Sequence, residues 1–242
     1  MHILDIPIDN LTREEILVRV KVFLDEPKFH QIATVNPEFL VESERNENFR
    51  AVLEQCDLRV ADGFGIALAF FLKDEKLKCR FPGADLMDEV IHKTSLPRRL
   101  IKAGGRGLSV YLAIRKDGLS SFEEIKFALL KKYPNLKING ADIDPKIHDS
   151  QFMIHDSIVF CNFGAPAQEL FLAKLKNNPG NVRLAMGVGG SFDYLTGKQK
   201  RAPEWLRTIG LEWLWRLIQQ PKRFKRIFDA TIVFFFKVLT KG

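Results

Sequence analysis

The chain has 242 residues, of which 46% are hydrophobic and 28% are charged, a composition typical of a globular protein with one large domain and room for an appendage. Its three cysteines are far apart in sequence and form no CxxC motif, which argues against a disulfide framework or a cysteine-ligated zinc site and favours a reducing cytoplasm. The N-terminal residues show no basic run followed by a long apolar stretch, so no secretory signal is expected.

The net charge of +7 is concentrated at one end of the chain. From residue 201 onward there are nine Lys and Arg against three Asp and Glu, a net of +6, which leaves +1 for the first 200 residues. This asymmetry predicts a partner with negative charge: a membrane surface, a phosphorylated substrate or a nucleic acid. We therefore predict an α/β core over residues 1–200 and a basic, aromatic-rich helical appendage over residues 201–242.

The first 200 residues alternate short apolar strands with helical stretches. Thr12 and Glu15 predict a capping box at the start of a helix that ends near Leu24, and Pro37 predicts the first turn of another helix. Further helices are predicted at residues 46–55, 66–72, 121–133 and 166–176, and a turn followed by a helix at residues 81–94. Strands are predicted at residues 29–35, 58–61, 108–114, 136–140, 157–162 and 182–188. This alternation predicts crossover units and a Rossmann-like, mostly parallel sheet flanked by helices.

Polar residues that directly follow strands are the functional candidates, because ligands of such sheets bind beyond the carboxyl ends of the strands. These candidates are Thr34, Asn36, Asp62, Asn162, Gln168 and Asp193. Asp62 precedes Gly63 and Gly65, and two interpretations of it remain open. A carboxylate that faces a substrate hydroxyl can act as a general base, whereas an aspartate at a strand-to-helix turn can also be the N-cap of the next helix.

Other sites are poorly supported by the sequence. A dinucleotide fingerprint is not predicted, because Leu68 stands where Gly63 and Gly65 require a third glycine, and residues 187–193 lack it as well. The Asp-x-Asp at residues 142–144 is typical either of a divalent-ion site for a sugar nucleotide or of an ordinary polar loop. The five histidines show no ligand spacing, and no metal site is predicted.

Residues 201–242 differ from the core. They contain all three tryptophans and predict two helices that separate at Pro221. No apolar run reaches the roughly 18 residues that a transmembrane helix needs. Basic residues beside aromatics indicate either a segment at a membrane interface or a terminal helix packed on the core with a solvated basic face. A nucleic-acid partner is disfavoured, because the aromatics cluster in apolar runs instead of alternating with basic residues.

Five stretches occur together in one order and spacing: "TVNPEF", "ADGFGIALAF", "RFPGADLMDEV", "FGAPAQELFL" and "GVGGSFDYLTGKQKRAPEWLRTIGLEWLWRLIQQPKR". On these motifs the chain closely resembles the WecG/TagA/CpsF family of bacterial glycosyltransferases over roughly residues 5–230. The resemblance implies transfer of a sugar, often N-acetylmannosamine or its uronic acid, from a UDP donor to a sugar on a polyprenyl diphosphate. It further implies an inverting reaction without metal or cofactor, by a protein peripheral on the inner face of the plasma membrane, in teichoic acid, common antigen or capsule synthesis.

The resemblance also implies roles for individual residues. Asp62 would be the general base, with the backbone of Gly63 and Gly65 giving room for sugars. Further substrate contacts are implied for Thr34, Asn36, Arg80, Gln168, Glu169, Gly187, Gly189, Gly190 and Asp193. Of these, Arg80 would meet a phosphate, and Asp193 would pair with Lys198 or Arg201 or contact the uridine. Contacts with a diphosphate or with the membrane are implied for Arg201, Arg216, Arg223 and Arg226.

Three departures from the family pattern lie on the presumed donor side. Residues 113–115 replace the usual Gly-Gly turn, the stretch 164–169 has no lysine, and the segment 140–156 is shorter than usual. They leave open a transferase that uses UDP-glucose, UDP-galactose or another donor for exopolysaccharide. They also leave open a non-catalytic module that holds a lipid-linked intermediate. Association into a homo-oligomer is equally open.

Overall fold

A computed structural model describes residues 1–95, 108–146, 154–221 and 224–241. The described strands are β1 (His2–Ile3), β2 (Ile6–Pro7), β3 (His30–Val35), β4 (Leu58–Ala61), β5 (Ser109–Arg115), β6 (Lys137–Ile143), β7 (Ile158–Cys161) and β8 (Leu184–Gly187). Strands β1 and β2 form a small antiparallel hairpin. The other six form one parallel sheet in the order β4-β3-β8-β7-β5-β6, which confirms the predicted α/β class.

The helices connect and cover these strands. They are α1 (Arg13–Asp25), α2 (Pro37–Ser43), α3 (Glu47–Gln55), α4 (Phe64–Leu72), α5 (Gly83–Ser95), α6 (Phe122–Lys132), α7 (Ala167–Leu175), α8 (Ser191–Leu195), α9 (Glu204–Thr208), α10 (Glu212–Gln219), α11 (Phe224–Phe228) and α12 (Phe234–Lys241), with a π-helical turn (Asp229–Val233) before α12. The predicted capping box is confirmed, because the Thr12 side chain accepts from the Glu15 N–H and the Glu15 carboxylate accepts from the Thr12 N–H.

The register of the sheet brings the strand ends together. Val35 pairs with Ala61, and Cys161 pairs with both Ala113 and Gly187, so the carboxyl ends of β3, β4, β5, β7 and β8 lie along one edge. Every residue of β3, β7 and β8 is buried, as expected for strands covered on both faces. The sheet is thus a rigid support for the polar residues that follow these strands.

The C-terminal segment packs back onto the core. Phe234 and Val238 of α12 are buried in one cluster with Ile66 and Phe70 of α4, and full burial of such side chains stabilises by about 1.5–3 kcal/mol each. Three ion pairs also join this segment to α2 and the turn after it: Arg226 with Glu38, Asp229 with Arg45, and Lys237 with Glu44. The terminal helix is thus packed on the core, and this packing leaves open whether its exposed side chains contact a membrane. The division at residue 200 stays a prediction.

The helix predicted before Pro221 is wrong in extent. The chain breaks it into α9 and α10 at Gly210, whose φ of +81° favours glycine. A Cβ on Gly210 would clash with the ring of Phe64, so the turn also presses against α4. None of the helices in the described residues combines the length and the apolar character that crossing a bilayer requires.

Candidate active site

Two depressions meet at the carboxyl ends of β3 and β4. The first, called the cleft below, has a volume of about 750 Å³ and runs along the ends of β3, β4, β5, β7 and β8. The second, called the groove, has a volume of about 420 Å³ and mostly apolar walls from α4 and the C-terminal helices. Six residues line both: Asn36, Glu38, Asp62, Glu212, Arg216 and Arg226. A carboxylate thus stands where a polar cleft meets an apolar groove.

The backbone holds Asp62 in this place. Its N–H donates to the Val35 carbonyl at 2.8 Å, and its Oδ2 accepts from the N–H of Gly83, the first residue of α5, at 3.2 Å. The capping interpretation therefore applies to α5 and is wrong for α4, whose N-cap is Gly63 and has no side-chain hydrogen bond. Asp62 Oδ1 has no hydrogen-bond partner within the part of the chain that the structure describes, so it is the oxygen available to a ligand.

Burial raises the pKa of Asp62 to about 6, against an ordinary value of 3.8. The charge of Arg216, the Gly83 N–H and the charge of Arg80 lower this pKa, whereas the charge of Glu212 raises it further. Asp62 is therefore ionised at pH 7 yet keeps a pKa near the operating pH. That combination is the one in which a carboxylate is most effective as a general base.

Arginines surround the junction of cleft and groove. Three of them pair with carboxylates at 2.5–2.6 Å: Arg201 with Asp85, Arg216 with Glu212, and Arg226 with Glu38. The Nε atoms of Arg201 and Arg216 are buried and have no hydrogen-bond partner among the described residues. Each of these two residues thus keeps one N–H group that makes no hydrogen bond there. Arg223, also expected here from the sequence, lies outside the described residues.

Arg80 differs from these three arginines. Its Nη2 donates to the backbone carbonyl of Arg207 at 2.9 Å, and no carboxylate within the described ranges forms an ion pair with it. It lines the groove together with Asp62. Arg80 therefore lies in the wall of the groove, and its contact with a phosphate stays a prediction.

Thr34 and Asn36 are brought to the same edge. Thr34 is buried at the cleft wall, where a Cβ on Gly83 would come within 2.9 Å of its Oγ1. Asn36 Oδ1 accepts from the Phe39 N–H at 3.1 Å as the N-cap of α2. Its Nδ2 has no hydrogen-bond partner among the residues that the structure describes, so Asn36 can still donate to a sugar.

The glycines after β4 have different roles. Gly63 has a φ of +87° and lines the groove, so it allows the turn that the sequence suggested. A Cβ on Gly65 would lie 2.5 Å from Cγ of Pro37, which means that α2 fills the space beside Gly65. Gly65 therefore permits close packing of α4 on α2. It also lines the groove, and the expectation that it makes room for sugars stays a prediction.

The loops after β7 and β8 form the other end of the cleft. Gly187, Gly189, Gly190 and Gln168 line it, as expected, whereas Glu169 is only 1% exposed and lies behind Gln168. The sequence implied that Glu169 contacts a substrate. The structure corrects this, because the Glu169 side chain is buried and does not line the cleft. Gly189 has a φ of +49°, and a Cβ placed on it would have no neighbouring atom within 4 Å, so its backbone is open to the cleft.

Asp193 is anchored to the loop after β5. Its Oδ1 accepts from Ser120 Oγ at 2.8 Å, and the residue lines the cleft while 8% exposed. Of the two partners that the sequence suggested, Lys198 pairs with Glu124 at 2.5 Å and Arg201 pairs with Asp85. The uridine contact of Asp193 stays a prediction.

The Asp-x-Asp motif lies at the end of β6, at the edge of the sheet. Asp142 Oδ1 accepts from the Phe122 N–H at the start of α6, and Asp144 Oδ1 accepts from the Lys146 N–H, both at 2.9 Å. Each carboxylate thus caps backbone groups. No group of three or more metal-binding side chains occurs in the described ranges.

Sequence reasoning missed two site residues, Glu38 and Glu212. Both line the cleft and the groove, and both pair with arginines of the C-terminal segment. A signal was present for Glu212, which precedes Arg216 by one helical turn. Glu38 was hidden because its partner, Arg226, is far away in sequence.

The chain is similar in sequence to known glycosyl transferases. A family model described as "Glycosyl transferase WecG/TagA/CpsF family" matches residues 1–242. A protein of Bacillus spizizenii named N-acetylglucosaminyldiphosphoundecaprenol N-acetyl-beta-D-mannosaminyltransferase is 30% identical over 212 residues, which cover 85% of this chain and 77% of the relative. A protein of Bacillus subtilis with the same name is 28% identical over 213 residues, covering 86% and 78%.

Proposed function

Because the chain belongs to the WecG/TagA/CpsF family of glycosyl transferases, we propose that it transfers an N-acetylmannosamine-type sugar from a UDP donor. The acceptor in this proposal is N-acetylglucosamine linked to a polyprenyl diphosphate. The names of the relatives support the sugar and the acceptor, and the UDP donor follows from the resemblance. The observation that carries the proposal is the position of Asp62 Oδ1 where the cleft and the apolar groove meet.

The proposed reaction is a single inverting displacement. Asp62 Oδ1 accepts the proton of the acceptor hydroxyl while that oxygen forms a bond to the anomeric carbon of the donor. The bond between the anomeric carbon and the diphosphate oxygen breaks, and UDP leaves with the electron pair. The base must stand on the face opposite UDP, so the donor lies in the cleft and the acceptor reaches Asp62 from the groove.

Arginines supply the positive charge that the departing diphosphate needs. Arg201 and Arg216 line the cleft, and guanidinium groups bind phosphate oxygens in well-defined geometry. We therefore propose that the reaction needs no divalent metal. On the acceptor side, Arg80 and Arg226 line the groove and would bind the lipid diphosphate.

The groove matches the lipid part of the acceptor. Phe64, Leu68, Trp213, Ile232 and Phe235 line it, beside a surface of exposed apolar side chains: Phe71, Phe224, Phe228, Phe236 and Leu239. The net charge of +6 lies on the same segment, and each basic residue near an anionic bilayer contributes about 1 kcal/mol. We propose that the protein binds the inner face of the membrane peripherally and draws the first isoprene units into the groove.

Vesicle flotation tests this membrane contact. Phe228→Ser with Phe236→Ser should reduce binding to anionic vesicles at least severalfold, because both side chains are exposed on the proposed contact surface. Phe127→Ser on α6 is the matched control, since Phe127 is 73% and Phe236 67% exposed. The proposed surface would be contradicted if the control variant lost as much binding to anionic vesicles as the double variant. It would also be contradicted if the wild-type protein bound neutral vesicles, or anionic vesicles at high salt, as well as it binds anionic vesicles at low salt.

UDP release tests the reaction itself. Wild-type protein should release UDP from UDP-N-acetylmannosamine only when a polyprenyl-diphosphate-N-acetylglucosamine acceptor is present, and EDTA should not reduce the rate. Asp62→Asn should lower the rate about 100-fold or more, the usual contribution of a general base. A rate for the Asp62→Asn variant within a factor of about two of wild type would exclude Asp62 as the base. A panel of UDP-glucose and UDP-galactose decides the donor.

A further inference from the structure

Two adjacent polar side chains are buried at one end of the cleft, one in its floor and the other behind it. Gln168 is 3% exposed and Glu169 1% exposed, both in the first turn of α7. Gln168 Oε1 accepts from two backbone N–H groups, those of Gly164 and Gly189, each at 3.1 Å. Gly164 belongs to the loop after β7 and Gly189 to the loop after β8. A single amide oxygen therefore joins the two loops that form one end of the cleft.

The other half of the Gln168 amide is fixed as well. Gln168 Nε2 donates to Glu169 Oε1 at 2.6 Å, and the Glu169 carbonyl accepts from Gln31 Nε2 at 3.2 Å. A Cβ on Gly187, the last residue of β8, would clash with Gln168 Nε2 and lie 2.5 Å from Glu169 Oε1. Glycine at position 187 is thus required for the strand end to pack against this pair.

The amide has one favourable orientation in this cluster. If it were flipped, Nε2 would face the N–H groups of Gly164 and Gly189, and donors would confront donors. Burial raises the pKa of Glu169 to about 8, against the hydrogen bond from Gln168, so the carboxyl is neutral at pH 7. Its role toward Gln168 is that of a hydrogen-bond acceptor, which an amide at position 169 can also perform.

We propose that Gln168 and Glu169 are positioning residues that set the spacing of the loops after β7 and β8 for the donor nucleotide. The inference rests on the proposed function for the identity of the nucleotide, UDP. Gln168 acts through the backbone of Gly164 and Gly189, and Glu169 acts through Gln168. Without the acceptor, two N–H groups lose their partner and the loops no longer share a fixed distance.

Gln168→Met tests the first part, since methionine keeps the length of the side chain and removes the acceptor. Hydrogen exchange of the Gly164 and Gly189 amides, followed by NMR, should accelerate at least tenfold, and the Kd for UDP should rise about tenfold. The KM for the lipid acceptor should stay within a factor of about two. Gln55→Met on α3 is the matched control at an exposed position, and it should leave all three quantities unchanged.

The second part is tested by a pair of changes at position 169. Glu169→Leu removes the acceptor of Gln168 Nε2 and should weaken UDP binding. Glu169→Gln retains an acceptor and the neutral state, so it should recover most of the lost affinity. This pair also decides the question if Gln168→Met fails to fold.

Several results would overturn the inference. In the first, the Gly164 and Gly189 amides of the Gln168→Met variant exchange faster, yet its Kd for UDP stays within a factor of about two of the wild-type value. Another is equal damage from Glu169→Leu and Glu169→Gln. If wild-type protein binds UDP but transfers no sugar, the proposed function fails, and the UDP affinities of the variants still decide the positioning role. A wild type that binds no UDP overturns both.

Discussion

Replacing Asp62 by asparagine should stabilise the protein while it strongly lowers the rate of sugar transfer. The pKa of Asp62 is about 6 in the folded protein, where burial raises it, against an ordinary 3.8. The folded state therefore holds the proton more tightly, and ionisation of Asp62 reduces stability as the pH rises from about 4 to about 6. The difference between 3.8 and 6 corresponds to at most about 3 kcal/mol, because part of the side chain reaches solvent in the cleft.

Asparagine avoids this cost and keeps the local hydrogen bond. Its Oδ1 can accept from the Gly83 N–H as Asp62 Oδ2 does, and it carries no charge. At pH 7.5 the variant should therefore unfold at a higher temperature than wild type, by up to about 10 °C for a domain of this size. At pH 4 the difference should be much smaller, because Asp62 is then mostly protonated in wild type as well.

Differential scanning fluorimetry at pH 4, 5, 6 and 7.5 measures this dependence. Asp74→Asn, at an exposed position just after α4, is the matched control and should show no pH-dependent difference from wild type. If the melting temperatures of the Asp62→Asn variant and wild-type protein differ by the same amount at every pH, the burial of Asp62 does not tune its ionisation. A variant less stable than wild type at pH 7.5 would refute the reasoning outright.

Three further results are expected. The initial rate of sugar transfer should fall about tenfold per pH unit below about pH 6 as Asp62 takes up its proton, and a flat profile from about pH 5 to 8 would contradict this. In urea unfolding, Gly210→Ala should cost about 1–3 kcal/mol and more than Gly197→Ala, because both positions have positive φ but only the first clashes with a neighbour. Glu44→Gln should lower stability by about 1–2 kcal/mol, since it deprives Lys237 of its partner and loosens α12, and an unchanged unfolding midpoint would show that the pair contributes nothing.

Much of the fold follows from local sequence signals. The boundaries of α1 and α2 were predictable because Thr12, Glu15 and Pro37 act within one helical turn. Strands β3, β7 and β8 were predictable because they are buried on both faces and therefore read as largely apolar runs. The break at Gly210 was missed, since a glycine within a helical pattern does not reveal its φ, and the neighbour that presses on it, Phe64, is remote in sequence.

The sequence predicted several of the residues that line the candidate site, but it predicted few of the contacts between them. The rule that ligands bind beyond the carboxyl ends of parallel strands identified Thr34, Asn36 and Asp62, all of which line the cleft. The rule could not show that Asp62 accepts a hydrogen bond from the Gly83 N–H at the start of α5, because only the folding of the chain brings these two residues together. Nor could it separate Gln168, at the cleft surface, from Glu169, which is buried one residue later.

The pairing of the arginines bears on which ligands the site can hold. Arg201, Arg216 and Arg226 each already form an ion pair with a carboxylate. A phosphate that binds one of these arginines must compete with that carboxylate, so the net gain is only the difference between the two interaction energies. A monophosphate that meets one guanidinium gains little under these conditions. A diphosphate can engage two guanidinium groups at once, and its additional charge competes better with the carboxylates. The same arrangement therefore favours a diphosphate on both sides of Asp62, in agreement with the proposal of UDP in the cleft and a lipid diphosphate in the groove.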